Sequence, residues 1–499
     1  MAKETIMVLD TTMRDGEQTP GVAFSADEKL KIARKLDELG VDIIEAGAPM
    51  TSPGERKAIK SIANEGLDAE ICSYVRGKKS DVDIALDCDV DSVHLVVPTS
   101  DLHLKKKLKM TREELKKITV ETVRYALDHN LIVELSAEDS TRTDREFLRE
   151  IFQLGIDEGA QRVCACDTVS MMMPEQIQDL FSYLSKNVKV PLATHCHDDF
   201  GVGTANTIAA VRGGAKEVHV TVNGLGERAG NTALEEVVLA LTKFYDYKTN
   251  LNLEGLYGIS RLVENAAGLP VPPTKAVVGD NAFSHEAGIH THGVLAQPST
   301  YEPVAPEMVG QKRRLVFGKH VGSHAIRSEL KKRGLKPTEE QVKEIFRRVK
   351  ELGDRGKLVT DAEWSTIADE VMGRSLEKII ELEELTVTSG NKITPTASVR
   401  LKFKDMDMVE AGVGIGPVDA AINAIQKVVE EVSSIRLEEY HVDAISGGTD
   451  AVVEVVVELT DGKRVITSRG SSGDIIMASV QAMLNGVNRL LWDKKLRGS

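Results

Sequence analysis

The sequence predicts a (β/α)8 TIM barrel followed by a small helical subdomain and a C-terminal α+β domain. Three observations carry this. Between residues 5 and 245, eight short β-rich runs alternate with amphipathic helical patterns; the reactive side chains gather just after those runs; and beyond residue 384 the pattern becomes strands and a helix, twice over. The 499 residues allow one large domain and one or two smaller ones, each with its own core.

The eight runs are 6–9, 43–48, 69–74, 93–97, 131–137, 162–167, 192–197 and 218–222. Ser25-Ala-Asp-Glu28 reads as a capping box, and Leu30, Ile32, Ala33, Leu36 and Leu39 follow at helical spacing. Thr111-Arg-Glu-Glu114 opens a further helix, Asp144 and Pro174 begin two more, and 232–244 closes the series. Residues 1–268 are thus assigned to the barrel. Leu269-Pro-Val-Pro-Pro273 is a break, and 269–383 reads as linker plus a charge-rich helical subdomain covering the barrel mouth.

Residues 384–499 form the third part. LTVTSG and ITPTASVRLKF precede a helix pattern over 416–432; RLEEYHVDAI, AVVEVVVEL and KRVITSR precede a final helix over 473–491. Gly412, Gly414 and Gly416 lead into the first helix and Gly447-Gly448 precede a strand. Either the two halves meet around a small-ligand pocket, or the domain serves dimerisation alone.

A formal charge of -14 argues against a nucleic-acid-binding surface, which is normally basic. Five cysteines, an odd number without a CxxC pair, argue against a disulfide framework or a structural zinc site. No stretch approaches the length of a membrane span and the N-terminal apolar run soon meets acids, so a reducing cytoplasm is the expected setting.

The run 192–197 carries His195 and His197, two apart on a strand, so both imidazoles point to one side. Such a pair suits a divalent cation with carboxylates completing the shell. Arg14 and Asp15 follow run one, Glu138 and Asp139 end run five, Asp167 and Thr168 end run six, and Asn223 and Asn231 follow run eight. All lie at carboxyl ends, where barrel active sites are built. A mouth holding Asp15, His195 and His197 with open cation positions, and Arg14 as a donor fork, suits chelation of a 2-oxo acid. Metal-assisted hydrolysis uses the same parts; barrel hydrolases usually carry HxH after the first strand, which ranks that alternative lower.

His285, His290 and His292 have spacings that match no common ligand pattern, so a general acid/base role for one of them is favoured over a second metal site. His94 and His219 read as satisfied core histidines, Cys164, Cys166 and Cys196 as buried strand residues, and Lys105–Lys107 as a solvated loop with a minor chance of touching a phosphate.

Asp10-Thr-Thr-Met-Arg-Asp-Gly-Glu-Gln18, Ser136-Ala-Glu-Asp139, His195-Cys-His-Asp-Asp-Phe-Gly201, Asn223-Gly-Leu-Gly-Glu-Arg-Ala-Gly-Asn231 and Gly288-Ile-His290 are similar, in this order, to motifs of the 2-isopropylmalate, citramalate and homocitrate synthase family. Nearly the whole chain takes part, since the C-terminal part resembles the family's regulatory domain. The resemblance implies condensation of acetyl-CoA with a 2-oxo acid in a homodimer, and a divalent cation (Mn, Mg or Zn) held by Asp15, His195 and His197, with Asn231 a ligand or its neighbour. It makes Arg14, Gln18 and Thr168 substrate-binding, with Arg14 also stabilising the alkoxide. Glu138, His290 and Tyr301 become the proton-transfer group; which of Glu138 and His290 is the base stays open.

Three departures from the family pattern stand out. Met13 replaces leucine, Val321 stands where serine is usual, and Ser170 stands where glycine is usual. Val93-His-Leu-Val-Val-Pro-Thr-Ser100 and Val163-Cys-Ala-Cys-Asp167 resemble archaeal citramalate synthases, which favours pyruvate over 2-oxoisovalerate. The C-terminal domain by resemblance senses an amino acid, isoleucine in the first case and leucine in the second.

Overall fold

The computed structural model describes residues 4–317, 321–332, 335–354, 359, 364, 367, 368, 370–372, 379–403, 406–444, 453–462 and 464–497. Strands β1 (Met7–Asp10), β2 (Ile43–Glu45), β3 (Glu70–Arg76), β4 (Ser92–Pro98), β5 (Ile132–Glu138), β6 (Arg162–Asp167), β7 (Leu192–Cys196) and β8 (Glu217–Val220) close into a barrel in sequence order. All pair in parallel, and β8 returns to β1 with Met7 opposite Glu217. The predicted runs fall on these strands.

The helices begin where their signals lie. Ser25 caps Ala26–Leu39 with the full capping box to Glu28, and Thr111 does the same for Arg112–Asp128 through Glu114. Asp144 accepts from the Phe147 N–H, and Pro174 occupies the first turn of Pro174–Asn187. The alternation along each strand sorts the side chains. Val93, Leu95 and Val97, like Val133, Leu135 and Ala137, join the apolar layer between strands and helices. Their alternates point inward, and there the barrel is unusually polar: Glu45, His94, Glu134, Ser136, Glu217 and His219 are all buried.

The chain divides into two compact units, Met1–His285 with Ala296–Arg314, and Glu286–Leu295 with Leu315–Ser499. In the second unit, helices Ser323–Lys332 and Glu339–Asp354 share a core with Phe317 and Trp364. Val321 is buried in that core, which gives the departure from serine an apolar role. Of the motif 318–324, residues 318–320 lie outside the described residues.

The C-terminal part is a three-stranded antiparallel sheet and a helix, twice. Ile380–Gly390, Ile393–Phe403 and Met406–Val413 precede helix Pro417–Val432; Arg436–Ala444, Val453–Thr460 and Val465–Ser472 precede helix Ile475–Arg497. The strand Met406–Val413 escapes the sequence reading because it is a largely exposed edge strand that starts on acids and methionines. Its Gly412 has a packing reason: a Cβ there would come within 2.3 Å of the Ala420 carbonyl oxygen. At the equivalent place in the second repeat, a Cβ on Gly470 would come within 2.2 Å of the Ala478 carbonyl oxygen. These glycines let each sheet approach its own helix, so Gly412 and Gly414 are accounted for without a ligand. Gly447 and Gly448 lie outside the described residues.

Candidate active site

The carboxyl ends of the strands enclose a cavity of about 230 Å³ lined, among others, by Arg14, Asp15, Tyr74, Glu138, His195 and His197. The loop after β1 supplies Arg14 and Asp15. It is pinned from behind by Lys29, a buried lysine whose Nζ donates to the Met13 carbonyl oxygen at 3.1 Å and lies 2.6 Å from Glu17 and 2.7 Å from Glu55. Met13 itself is fully buried.

Asp15 meets both histidines: its Oδ2 lies 3.1 Å from His195 Nε2 and 3.8 Å from His197 Nε2. Burial favours a neutral Asp15, but Arg14 and the imidazoles outweigh it and hold the carboxyl well below its usual range. Burial drives His195 down to about 3 and lowers His197 as well, against the pull of Asp15. An anionic carboxylate facing two neutral imidazoles is a donor set for a divalent cation. These three groups lie within 4.8 Å of one another. Asn231 joins them through a backbone bridge to His197, and Gly226 leaves the space its side chain fills. The Asn231 amide is buried with neither its oxygen nor its nitrogen hydrogen-bonded, which fits a group available to a cation held by Asp15, His195 and His197.

Arg14 donates from Nε to Glu45 Oε2 at 2.7 Å, stands 3.4 Å from Asp15, and lies over the Tyr74 ring at 4.9 Å. Burial opposes ionisation of Glu45, yet Arg14 and His94 bring it down to about 2. Thr168 accepts from the Asp139 N–H through its hydroxyl oxygen at 2.9 Å, which leaves its own hydrogen for a ligand. The Thr168 carbonyl accepts from Arg228 at 2.7 Å, and Arg228 also grips Asp199. Ser170 takes a left-handed φ of 50°, the reason glycine is usual there, and its hydroxyl donates to the His197 carbonyl oxygen at 2.8 Å. The departure therefore adds a bond between the loops after β6 and β7.

Arg14, Gln18 and Thr168 share the cavity wall with Asp15, His195, His197 and Glu138. Tyr301 is exposed beside the turn Pro298–Thr300, and His290 lies in helix Gly288–Ala296, an element of the second unit. Among the described residues, His285, His290 and His292 form no metal-capable group. Instead His285 lies 3.1 Å from Glu302 and His292 packs edge-on against His324.

Sequence reasoning missed Glu45, Tyr74, Val96 and Arg228, although the parity of β2, β3 and β4 points the first three inward. His94 is a satisfied core histidine, bonded to Glu45 at 2.7 Å and Ser136 at 2.5 Å, and also lines the cavity. Lys105, Lys106 and Lys107 are exposed, as expected of a solvated segment, and Lys107 in addition reaches Glu138 at 2.6 Å.

This fold and site are those of a barrel enzyme class whose model, described as HMGL-like, matches residues 5–263. Residues 277–357 match the homocitrate synthase post-HMGL domain-like model, and 358–491 the LeuA allosteric (dimerisation) domain. The chain belongs to the family that contains the (R)-citramalate and 2-isopropylmalate synthases. It is 55% identical to the (R)-citramalate synthase CimA of Methanocaldococcus jannaschii, over 97% of this chain and 99% of that one. It is 49% identical to the 2-isopropylmalate synthase of the same organism, over 98% of this chain and 95% of that one. The HMG-CoA lyase of Bacillus subtilis shares the barrel fold, with TM-score 0.50 and 22% identity over 55% of this chain and 97% of that one.

Proposed function

We propose that this chain is an acyltransferase that condenses acetyl-CoA with pyruvate and hydrolyses the thioester, releasing (R)-citramalate and CoA, as a step of isoleucine biosynthesis. The observation that carries the choice of substrate is the comparison within one organism: likeness to its citramalate synthase exceeds likeness to its 2-isopropylmalate synthase. A cavity of about 230 Å³ walled by Tyr74, His94 and Val96 supports a short oxo acid. The 49% identity to a 2-isopropylmalate synthase keeps 2-oxoisovalerate as the second substrate reading, because a methylene or two is worth only about 1–3 kcal/mol in such selectivity.

Asp15, His195 and His197, with Asn231 beside them, would hold a divalent cation, Mn, Mg or Zn. When bound, the cation supplies Lewis-acid polarisation of the keto group. Thr168 donates its hydroxyl hydrogen to the oxo-acid carboxylate, and Gln18 extends the polar wall. Arg14, kept in place by Glu45, donates to the oxygen that becomes an alkoxide. Glu138 at the cavity wall is one candidate base for the acetyl methyl, and His290 the other; Tyr301 is a further candidate for proton transfer. The resulting enol attacks the keto carbon, and hydrolysis of the thioester makes the sequence irreversible.

The C-terminal part would bind an amino-acid effector, isoleucine for the first reading, and join two copies into a homodimer working in the cytoplasm. Among the described residues no helix is long and apolar enough to cross a membrane. CoA release from acetyl-CoA with Mn or Mg, comparing pyruvate with 2-oxoisovalerate and including His195→Ala, tests the reading. Preference for pyruvate supports it; preference for 2-oxoisovalerate replaces it with the second.

A further inference from the structure

Glu138 is not alone at the cavity wall. The segment after β4 runs as one short helical turn, Asp101–His103, capped by Ser100, and then as a single π-helical turn, Leu104–Leu108. Wide turns of this kind are rare and recur at functional sites. Leu104 anchors it in the apolar layer, Arg112 ties back to Asp101 at 2.9 Å, and Lys109 ends it with a left-handed φ of 55°. Lys105, Lys106 and Lys107 are all exposed on this turn, and of the three Lys107 also lines the cavity.

Lys107 Nζ lies 2.6 Å from Glu138 Oε1 and 2.9 Å from Oε2, so it spans both carboxylate oxygens. His103, four residues earlier, places Nδ1 at 3.1 Å from Glu138 Oε1. An ammonium has three donors, and the carboxylate engages two of them. The third belongs to a group that already lines the cavity in which the proposed acyl donor reacts.

We infer that Lys107 is a catalytic partner of Glu138: its ammonium stabilises the oxygen of the thioester enolate that forms as Glu138 takes a methyl proton. The inference rests on the proposed condensation and on Glu138 as the base. In this step the methyl C–H bond breaks and its proton moves to a Glu138 oxygen. The electron pair becomes the enolate C=C bond, and the carbonyl pair moves onto the thioester oxygen. Negative charge leaves the carboxylate and appears on the enolate, while the positive charge beside both stays where it is. Thioester α-protons are weakly acidic, so such a counter-charge is what a carboxylate base requires.

The test is steady-state CoA release by the full-length enzyme with acetyl-CoA, pyruvate and Mn, together with deuterium exchange into the acetyl methyl. Lys107→Met, Lys107→Arg and Glu138→Gln are compared with wild type. Lys107→Met is expected to lower kcat about 100-fold, the loss typical of one oxyanion donor. KM for pyruvate and the Mn-induced rise in Tm should stay at wild-type values, exchange should slow in parallel with kcat, and Lys107→Arg should recover about tenfold. Wild-type kcat in Lys107→Met, or a loss confined to KM for acetyl-CoA, overturns the inference alone. Full turnover by Glu138→Gln overturns the pairing. Absence of CoA release by wild type with either oxo acid overturns the proposed reaction, and this inference with it.

Discussion

Glu45 at the end of β2 holds Arg14 by a 2.7 Å bond from Nε to Oε2, and both side chains are nearly excluded from solvent. Without that carboxylate, the anion the guanidinium still reaches among the described residues is Asp15 at 3.4 Å. Glu45→Gln is therefore expected to release Arg14 toward the cation ligands and to lower kcat by about 100-fold, as losing an oxyanion donor does. CoA-release kinetics check this; unchanged turnover would show that Arg14 is oriented by other contacts.

Cation binding is expected to be visible without any substrate. A ligand that binds only the folded state stabilises it, by about 2.7 kcal/mol at 100-fold excess over Kd. Adding Mn to chelator-treated enzyme should raise Tm in wild type, less in Asn231→Ala, and not at all in His197→Ala. An equal rise in His197→Ala would remove His197 from the ligand set.

Lys29 is 1% exposed and neutralises Glu17 and Glu55 behind the loop of Arg14 and Asp15. Removing one member of a buried ion cluster strands the others and typically costs about 3–5 kcal/mol. Lys29→Met should lose stability on that scale in urea unfolding, with activity reduced even where the protein is folded. A loss below about 1 kcal/mol would mean that the two glutamates are solvated at little cost.

The barrel interior makes the enzyme sensitive to alkali. His219 Nε2 lies 3.0 Å from Glu134 and 3.4 Å from Glu217; burial disfavours the imidazolium, but Glu134 and Glu217 outweigh it and push the group up to about 10. A histidine raised in the folded state stabilises fully below its unfolded pKa of about 6.5, and that stability is lost as pH rises through about 10. Tm of the metal-free enzyme should fall between those pH values, and the fall should be shallower in His219→Gln. Parallel curves for the two proteins would rule out a charged His219.

Much of this was legible in the chain itself. Strand and helix periods are local, so β1 to β8 and the capped helices at Ser25, Thr111 and Asp144 stand close to where side-chain alternation puts them. The HxH of His195 and His197 is legible because two residues of one strand must share a face, and Asp15 because it follows another strand at the same end. Lys107 was not legible: three consecutive lysines look alike, and only the π turn selects which one meets Glu138. Nor was the role of Gly412 and Gly470, since the helix each one makes room for is seen only when sheet and helix are packed.

By itself the sequence determined the barrel, its order of strands and the end at which chemistry collects, because these depend on periodicity and on the direction of parallel strands. It also determined the family, through five motifs in order. Tertiary structure decided the partners: Glu45 for Arg14, Glu55 for Lys29, Lys107 for Glu138 and Glu134 for His219. Each pair joins residues at least 26 positions apart, and the free energy of a charge depends on what the closed barrel places beside it.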